Sequence, residues 1–292
     1  MAGKLIRKPF RAGAFYPGNK AEVEQAIEEI AKAAPRGKLG NAKAVAAIAP
    51  HAGWVFSGPT AYAAIKALLD HSEAKTVVVF GAVHNWNVRM PTVTEADEWI
   101  TPLGPVEVDG ELRDTLMGAE LPLEADEHAH NGEHSIEVEI PFIQALSGAV
   151  KILPIAMPPV PESIEVSRAI AKVAGDEGEI IVVASTDLTH YGAEYYGWAP
   201  KGAGFEALKW VKEKNDHTIV QAMLEMRDSE IIGIAEEDRS ACGAGAASAA
   251  AAFAKGVGAK GGTLIHYTTS YDARPDGEPS DFVGYAGIVY TL

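Results

Sequence analysis

The sequence predicts an α/β fold, a three-layer α/β/α sandwich around a mixed, mainly parallel sheet, and two observations predict it. Short apolar runs of strand character alternate with helical stretches along nearly the whole chain, the order that builds parallel crossover units. Three of those runs, 44–49, 76–80 and 180–184, lead directly into residues able to ligate a metal or move a proton: Pro50-His51-Ala52-Gly53, Gly81-Ala82-Val83-His84, and Ser185-Thr186-Asp187-Leu188-Thr189-His190. In an open α/β sheet, such positions line the crevice beyond the carboxyl ends of the strands, where ligands bind.

The elements follow in order. Arg11 to Gly18 has no period and reads as an ordered loop, and 20–34 places Val23, Ile27 and Ile30 at helical spacing among glutamates. A polar break over 35–41 precedes the strand 44–49. Glycines and Pro59 surround the apolar anchors of 53–59, and 60–69 is Ala- and Leu-rich enough for a helix, followed by the strand 76–80. Short strands or a hairpin are expected within 87–108, and a short helix at 112–117. Ile136, Ile140, Ile143 and Leu146 fit a helix with Pro141 as a local distortion, although Ile136, Val138 and Ile140 also alternate as in a strand. Strands at 151–156 and 180–184 bracket a helix at 162–174, and one or two helices fill 205–226. The Ala-rich stretch 241–255 reads as a helix lying close to the sheet. A flexible turn at 256–262, a strand at 263–270, a loop rich in Asp, Pro and Gly at 271–280, and a closing strand at 282–290 complete the chain.

With 292 residues, 47% of them apolar and 22% charged, the chain suits one large soluble domain, taken as residues 1–292. Forty acidic against 25 basic residues give a formal charge of -15, which opposes attraction to nucleic acid or an anionic membrane surface. There is no apolar run of membrane-spanning length, and the amino-terminal residues lack a secretory core, so a cytoplasmic location is expected. Cys242 is the only cysteine, which rules out an internal disulfide and suits a reducing compartment. No glycine-rich phosphate loop or dinucleotide fingerprint is present.

His51 and His84 occupy equivalent places after successive strands, where each imidazole can point into the crevice or bond a backbone carbonyl. Asp187 and His190 could share a pocket, His190 taking a proton or touching substrate and Asp187 orienting a partner, completing a metal shell or capping its own turn. Cys242 precedes the Ala-rich helix or lies in its first turn. There the free amides favour the thiolate, unless the side chain is simply a small buried hydrophobe. A thiolate with two imidazoles suits iron, copper or zinc and fits magnesium poorly. His134 is read as a contributor to the crevice, while His128 and His130 are left out because Gly132 interrupts a continuous helix. Arg11, Tyr16, Trp54 and Tyr191 are candidate pocket walls, though core packing explains them as well.

Taken together, Arg11-Ala12-Gly13-Ala14-Phe15-Tyr16-Pro17, Pro50-His51-Ala52-Gly53-Trp54-Val55-Phe56-Ser57-Gly58, Gly81-Ala82-Val83-His84, Glu133-His134-Ser135-Ile136-Glu137, the run Ser185 to Gly192, and Cys242-Gly243 resemble the Memo family. The resemblance runs from near the amino terminus to the last strand. It implies a domain similar to the class III extradiol dioxygenases, in which two histidines and a carboxylate hold Fe(II). It also implies that His51 and His84 are the first two metal ligands, that Cys242 takes the place of the third, and that Asp187 and His190 stand beside them. Cysteine in place of the carboxylate alters the charge, softness and redox behaviour of the ion, so ring cleavage itself is not carried over. The resemblance further implies a small-molecule or peptide ligand and, by association, radical-SAM and AMMECR1-type pathway partners. Two other readings stay open, a non-catalytic binding or scaffold protein that keeps a vestigial pocket, and metal-assisted hydrolysis.

Overall fold

The runs that end in candidate ligands form the parallel centre of the sheet, because strands covered on both faces must be apolar at every position. In the computed structural model, which describes residues 3–37, 39–175 and 179–292, those central strands are buried almost end to end. Lys38, within the expected polar break, lies outside the described residues. The chain runs β1 (Ile6–Arg7), α1 (Lys20–Ala33), β2 (Ala44–Ala49), α2 (Trp54–Asp70), β3 (Thr76–Gly81), β4 (Thr92–Val93), β5 (Glu98–Thr101), β6 (Gly104–Glu107), α3 (Gly110–Met117) and β7 (Glu124–Ala125). It continues with α4 (Ile140–Ser147), β8 (Lys151–Ala156), α5 (Pro161–Ala174), β9 (Ile180–Ser185) and β10 (His190–Tyr191). α6 (Phe205–Trp210) then passes through a π-helical turn into α7 (Asp216–Leu224), and α8 (Asp228–Asp238), α9 (Ala244–Gly256), β11 (Gly261–Thr269), α10 (Ser270–Ala273) and β12 (Phe282–Thr291) follow.

The main sheet has the order β10-β12-β2-β9-β3-β8-β4-β7, with β11 also paired to β12. Strands β2, β9, β3 and β8 are mutually parallel, and β12 joins antiparallel beside β2. Residues of opposite parity on β12 show that helices flank both faces. Gly287 lies against Ala64 and Thr60 of α2, whereas Gly284 lies against Asp216 of α7 and the Tyr290 hydroxyl donates to the Met223 carbonyl there. A separate three-stranded sheet, β1-β5-β6, lies outside this one.

Three expectations need correction. Helix α2 starts at Trp54 rather than residue 60 and keeps Pro59 inside, so the glycine-rich stretch is helical. The helix expected from Ile136 starts at Ile140. Pro141 therefore sits in its first turn, where the missing N–H costs nothing, and distorts no helix. The loop 271–280 begins with the short helix α10, closed by a reciprocal Thr269–Asp272 capping box. Helix α8 and the strands β1 and β7 were not anticipated.

Candidate metal centre

Three strand ends and one helix start bring the candidate residues together. His51 follows β2, His84 follows β3, Asp187 follows β9, and Cys242 stands two residues before α9. Small residues bring that helix close. A Cβ on Gly243 would collide with the Ser185 carbonyl and Thr186, and one on Gly245 with the carbonyls of Met157 and Pro158. The Gly243 N–H donates to Thr186 Oγ1 at 2.8 Å, and the Cys242 N–H to the Asp187 carbonyl at 3.2 Å. These contacts hold Cys242 Sγ 3.3 Å from His51 Nε2.

The donor atoms of His51, His84 and Cys242 all lie within 4.8 Å of one another, and the same holds for His84, Glu133 and His134 and for Asp187, His190 and Cys242. Two donors on one tetrahedral ion with nitrogen and sulfur bonds of ordinary length stand about 3.5 Å apart. In the first trio the His51 Nε2 to Cys242 Sγ separation of 3.3 Å is close to that spacing, and the orientation of both imidazoles suits a shared ion. The Ser185 hydroxyl gives its one hydrogen to the Ser135 carbonyl at 2.6 Å, so toward His51 Nδ1, 2.8 Å away, it can only accept. His51 Nδ1 therefore bears the proton and Nε2 is left with a free lone pair beside the sulfur. His84 Nδ1 faces both Glu133 oxygens at 3.0 and 3.1 Å, which likewise frees its Nε2. A carboxylate or hydroxyl behind each ligating imidazole is the usual support of a metal site.

Glu133 does more than orient His84. Its carboxylate also accepts the backbone N–H of His84 at 2.9 Å, of His134 at 2.7 Å and of Ser135 at 2.9 Å. Burial would raise its pKa, but the His84 imidazole and these amides outweigh it and hold the carboxyl well below the usual range. Burial draws His84 down, and the Glu133 carboxylate more than restores it, so its pKa lies above the ordinary histidine value. His51 is lowered to about 4 by burial, and His134 to about 3 by burial and the neighbouring His51, so both are neutral imidazoles at pH 7. His134 stacks on His84 with ring centres 4.7 Å apart and meets His51 and Phe15 edge-on.

The other two glutamates of this run have separate tasks. Glu137 accepts from Arg7 Nη1, the Phe10 and Arg11 amides and the Tyr16 hydroxyl, at 2.7 to 3.0 Å, and so fastens the amino-terminal loop over the site. Glu139 is fully buried, and burial first, then the Asp187 charge, push its pKa well above the usual carboxyl range.

Asp187 does not cap its own turn. Its Oδ1 accepts the backbone N–H of His51 at 2.8 Å and of Ala52 at 3.2 Å, pinning the loop after β2. Burial opposes its ionisation, but His51, His190 and these amides prevail and lower its pKa. His190 Nε2 lies 3.9 Å from Asp187 Oδ2, and its ring stacks on Tyr196 at 5.1 Å. The expectation of a helix-favoured thiolate at Cys242 is corrected. Burial first, then the Asp187 charge, push the thiol above its ordinary pKa, so the metal-free side chain stays protonated.

A cavity of about 540 Å3 opens over these groups, touching His51, His84, His134, Asp187 and His190. Phe15, Phe56, Tyr196 and Tyr285 supply aromatic wall, and loop 274–281 forms the outer side. Arg11, Tyr16, Trp54 and Tyr191 are not among its walls. Trp54 stacks with both Tyr16 and Phe142, Tyr191 stacks on Phe282, and the Arg11 guanidinium lies over Phe10 and Phe15. His130 is buried against Trp99 and contacts the Thr92 carbonyl, outside the ligand clusters. Sequence reasoning missed Glu133, Ser185 and the loop 274–281. Only Glu133 gave a signal, as the acidic neighbour of His134.

Fold and site thus define an α/β protein with a candidate metal centre at the carboxyl ends of its parallel strands. A family model described as Memo-like protein matches residues 7–289. MEMO1 family proteins are 33% identical in Thermococcus onnurineus over 295 residues, and 36% identical in Pyrococcus abyssi over 298 residues and in Thermococcus kodakarensis over 301. Each alignment covers 98% of this chain and 99% of the relative. The chain belongs to the MEMO1 family.

Proposed function

We propose that the protein is a metalloprotein in which His51, His84 and Cys242 hold one ion, redox-active iron in first place, with copper or the redox-inert zinc as the alternatives. The observation that supports this most is the aim of the two imidazoles. Ser185 and Glu133 occupy both Nδ1 atoms, leaving the two Nε2 atoms free around a half-buried sulfur. When bound, the ion would supply electrophilic chemistry and, as iron or copper, redox chemistry beside the cavity.

The chain's own groups do the rest. Cys242 releases its proton when it ligates, which offsets the positive charge of the ion. His190, at the cavity wall with Asp187 behind it, is placed to give or take a proton at Nε2, and neutral His134 is a second acceptor over the same space. Phe15, Phe56 and Tyr285 exclude water and favour a flat ligand. The site is similar in kind to that of the class III extradiol dioxygenases, with sulfur in place of a carboxylate.

Anaerobic reconstitution with Fe(II), Cu(I) and Zn(II), followed by metal analysis and X-ray absorption, tests the ligand set. One ion per chain with one sulfur neighbour is expected. Scattering from nitrogen and oxygen alone would remove Cys242 from the set. Oxygen consumption that disappears in His190→Ala would support turnover, whereas tight metal binding without any reaction would favour a binding protein that keeps the pocket.

A further inference from the structure

A buried carboxyl group that takes no part in the metal centre grips the residue next to His190. Asp216, the first residue of α7, is fully buried and is not among the walls of the cavity. Its Oδ1 accepts the backbone N–H of Thr189 at 3.1 Å and also the Thr189 hydroxyl, and its Oδ2 accepts the Tyr267 hydroxyl at 2.7 Å. Its neighbour Asn215 closes the π-helical turn 211–215 and uses both hydrogens of its amide, one toward Thr189 Oγ1 at 2.9 Å and one toward the Asp238 carbonyl at 2.9 Å. Adjacent side chains of a helix ordinarily turn to different partners, but at the end of this π-helical turn both reach one threonine. The polarity of the set is fixed, because Thr189 Oγ1 receives from Asn215 and gives its single hydrogen to Asp216. Strand β12 completes the grip. The Leu188 N–H donates to the Gly284 carbonyl at 2.8 Å and the Gly284 N–H to the Thr189 carbonyl at 3.0 Å, and a Cβ on Gly284 would collide with Asp216 Oδ2.

We infer that Asn215 and Asp216 are positioning residues for the His190 imidazole. Thr189 is fully buried, and once its backbone and hydroxyl are held, the next residue has only its own rotamers left to choose from. The Asn215 bond to Asp238 ties the same segment to the last residue of α8, just ahead of Cys242 in the chain, so His190 and the sulfur share one anchor. The inference rests on the proposed function only in giving that imidazole a proton to move, since its fixed position is a property of the metal-free protein.

Labelling of the metal-free protein with diethyl pyrocarbonate, read residue by residue by mass spectrometry, tests it. His134 is the control, because it reaches the same cavity from another loop. In Asp216→Ala the His190 rate should rise at least ~3-fold while that of His134 stays within about 1.5-fold of wild type, and amide exchange over 188–190 should accelerate about 10-fold with β9 unchanged. Asp216→Asn keeps an oxygen for Thr189 and should bring the His190 rate back to within about 2-fold of wild type. Thr189→Val keeps the N–H bond to Asp216 and loses the hydroxyl, and it carries the same comparison, at an intermediate rate, if Asp216→Ala does not fold. An unchanged His190 rate, equal changes at His190 and His134, or no recovery in Asp216→Asn would overturn the inference and leave the group a merely stabilising one. Failure of the wild type to load metal, with the His190 response intact, would instead overturn the metal reading and leave this one standing.

Discussion

Replacing Glu133 by Gln keeps the side-chain length and one acceptor oxygen but reverses the polarity of the other end. The carboxylate serves four donors, namely His84 Nδ1 and the amides of His84, His134 and Ser135. A carboxamide can still accept from the His134 and Ser135 amides and from the His84 ring N–H at Oε1, but its NH2 then faces the His84 amide, donor against donor. His84 keeps only a neutral partner and loses the charge that makes it a good base. Outer partners of this kind are worth about 10- to 100-fold in metal affinity, or ~1.4–2.7 kcal/mol. A second effect runs the other way at low pH. The raised pKa of His84 means that a proton competes with the ion, so wild-type affinity should climb as pH rises through the folded value. The variant lacks that elevation, and its affinity should level off at lower pH. Competition with a chromophoric chelator at pH 6 and pH 8 separates the effects. The deficit of the variant should be full at pH 8 and smaller at pH 6. Equal affinity of the two proteins at pH 8 would refute the role assigned to Glu133.

Further outcomes follow from the same geometry. Cys242→Ser should weaken iron or copper binding at least ~10-fold and abolish sulfur scattering in the X-ray absorption spectrum, because a hydroxyl is a poor ligand for softer ions. Ser185→Ala leaves the His51 Nδ1 proton buried without an acceptor, so denaturant titration of metal-free protein should show a loss of about 1–3 kcal/mol. Asp216 is raised from 3.8 to about 6, chiefly by burial and against hydrogen bonds from Thr189 and Tyr267. Its contribution is therefore fully present below pH 3.8 and lost as pH rises through about 6, a change worth up to ~3 kcal/mol. The stability of wild type relative to Asp216→Asn should fall by an amount of that order between pH 4 and pH 7.5, and parallel pH profiles would rule this out. A Cβ on Gly81 would press on Ile136 and Ser135 Oγ, so Gly81→Ala should cost about 1–3 kcal/mol and reduce metal affinity by displacing the Ser135 segment.

Much of the sheet was legible because its central strands are short, uniformly apolar and bounded by polar breaks. The ends of 44–49, 76–80 and 180–184 identified the crevice edge, and with it His51, His84, Asp187 and His190. Cys242 was legible only through the small residues that follow it. Helix α8 escaped notice because the run Asp228 to Asp238 mixes acids with isoleucines in no clean stripe, and only Asp228, Ile231 and Ala235 are buried. The start of α2 was obscured by Gly53, Gly58 and Pro59. These usually mark loops, but here Gly58 lets Ile30 and Trp54 pack closely against the helix. Ser185 and Glu133 were invisible as orienting groups for a general reason. Their partners lie 134 and 49 residues away, and no local pattern encodes which imidazole a distant hydroxyl or carboxylate will meet.

His51 and Cys242, whose side chains stand 3.3 Å apart, are separated by 191 residues of chain. An ion held between them would act as a removable cross-link joining the first quarter of the polypeptide to its last fifth. Chelators should then behave as mild destabilisers, and the melting temperature should climb with free metal concentration above the dissociation constant. During synthesis the complete ligand set cannot assemble until α9 has left the ribosome, so loading with metal would be the closing event of biogenesis.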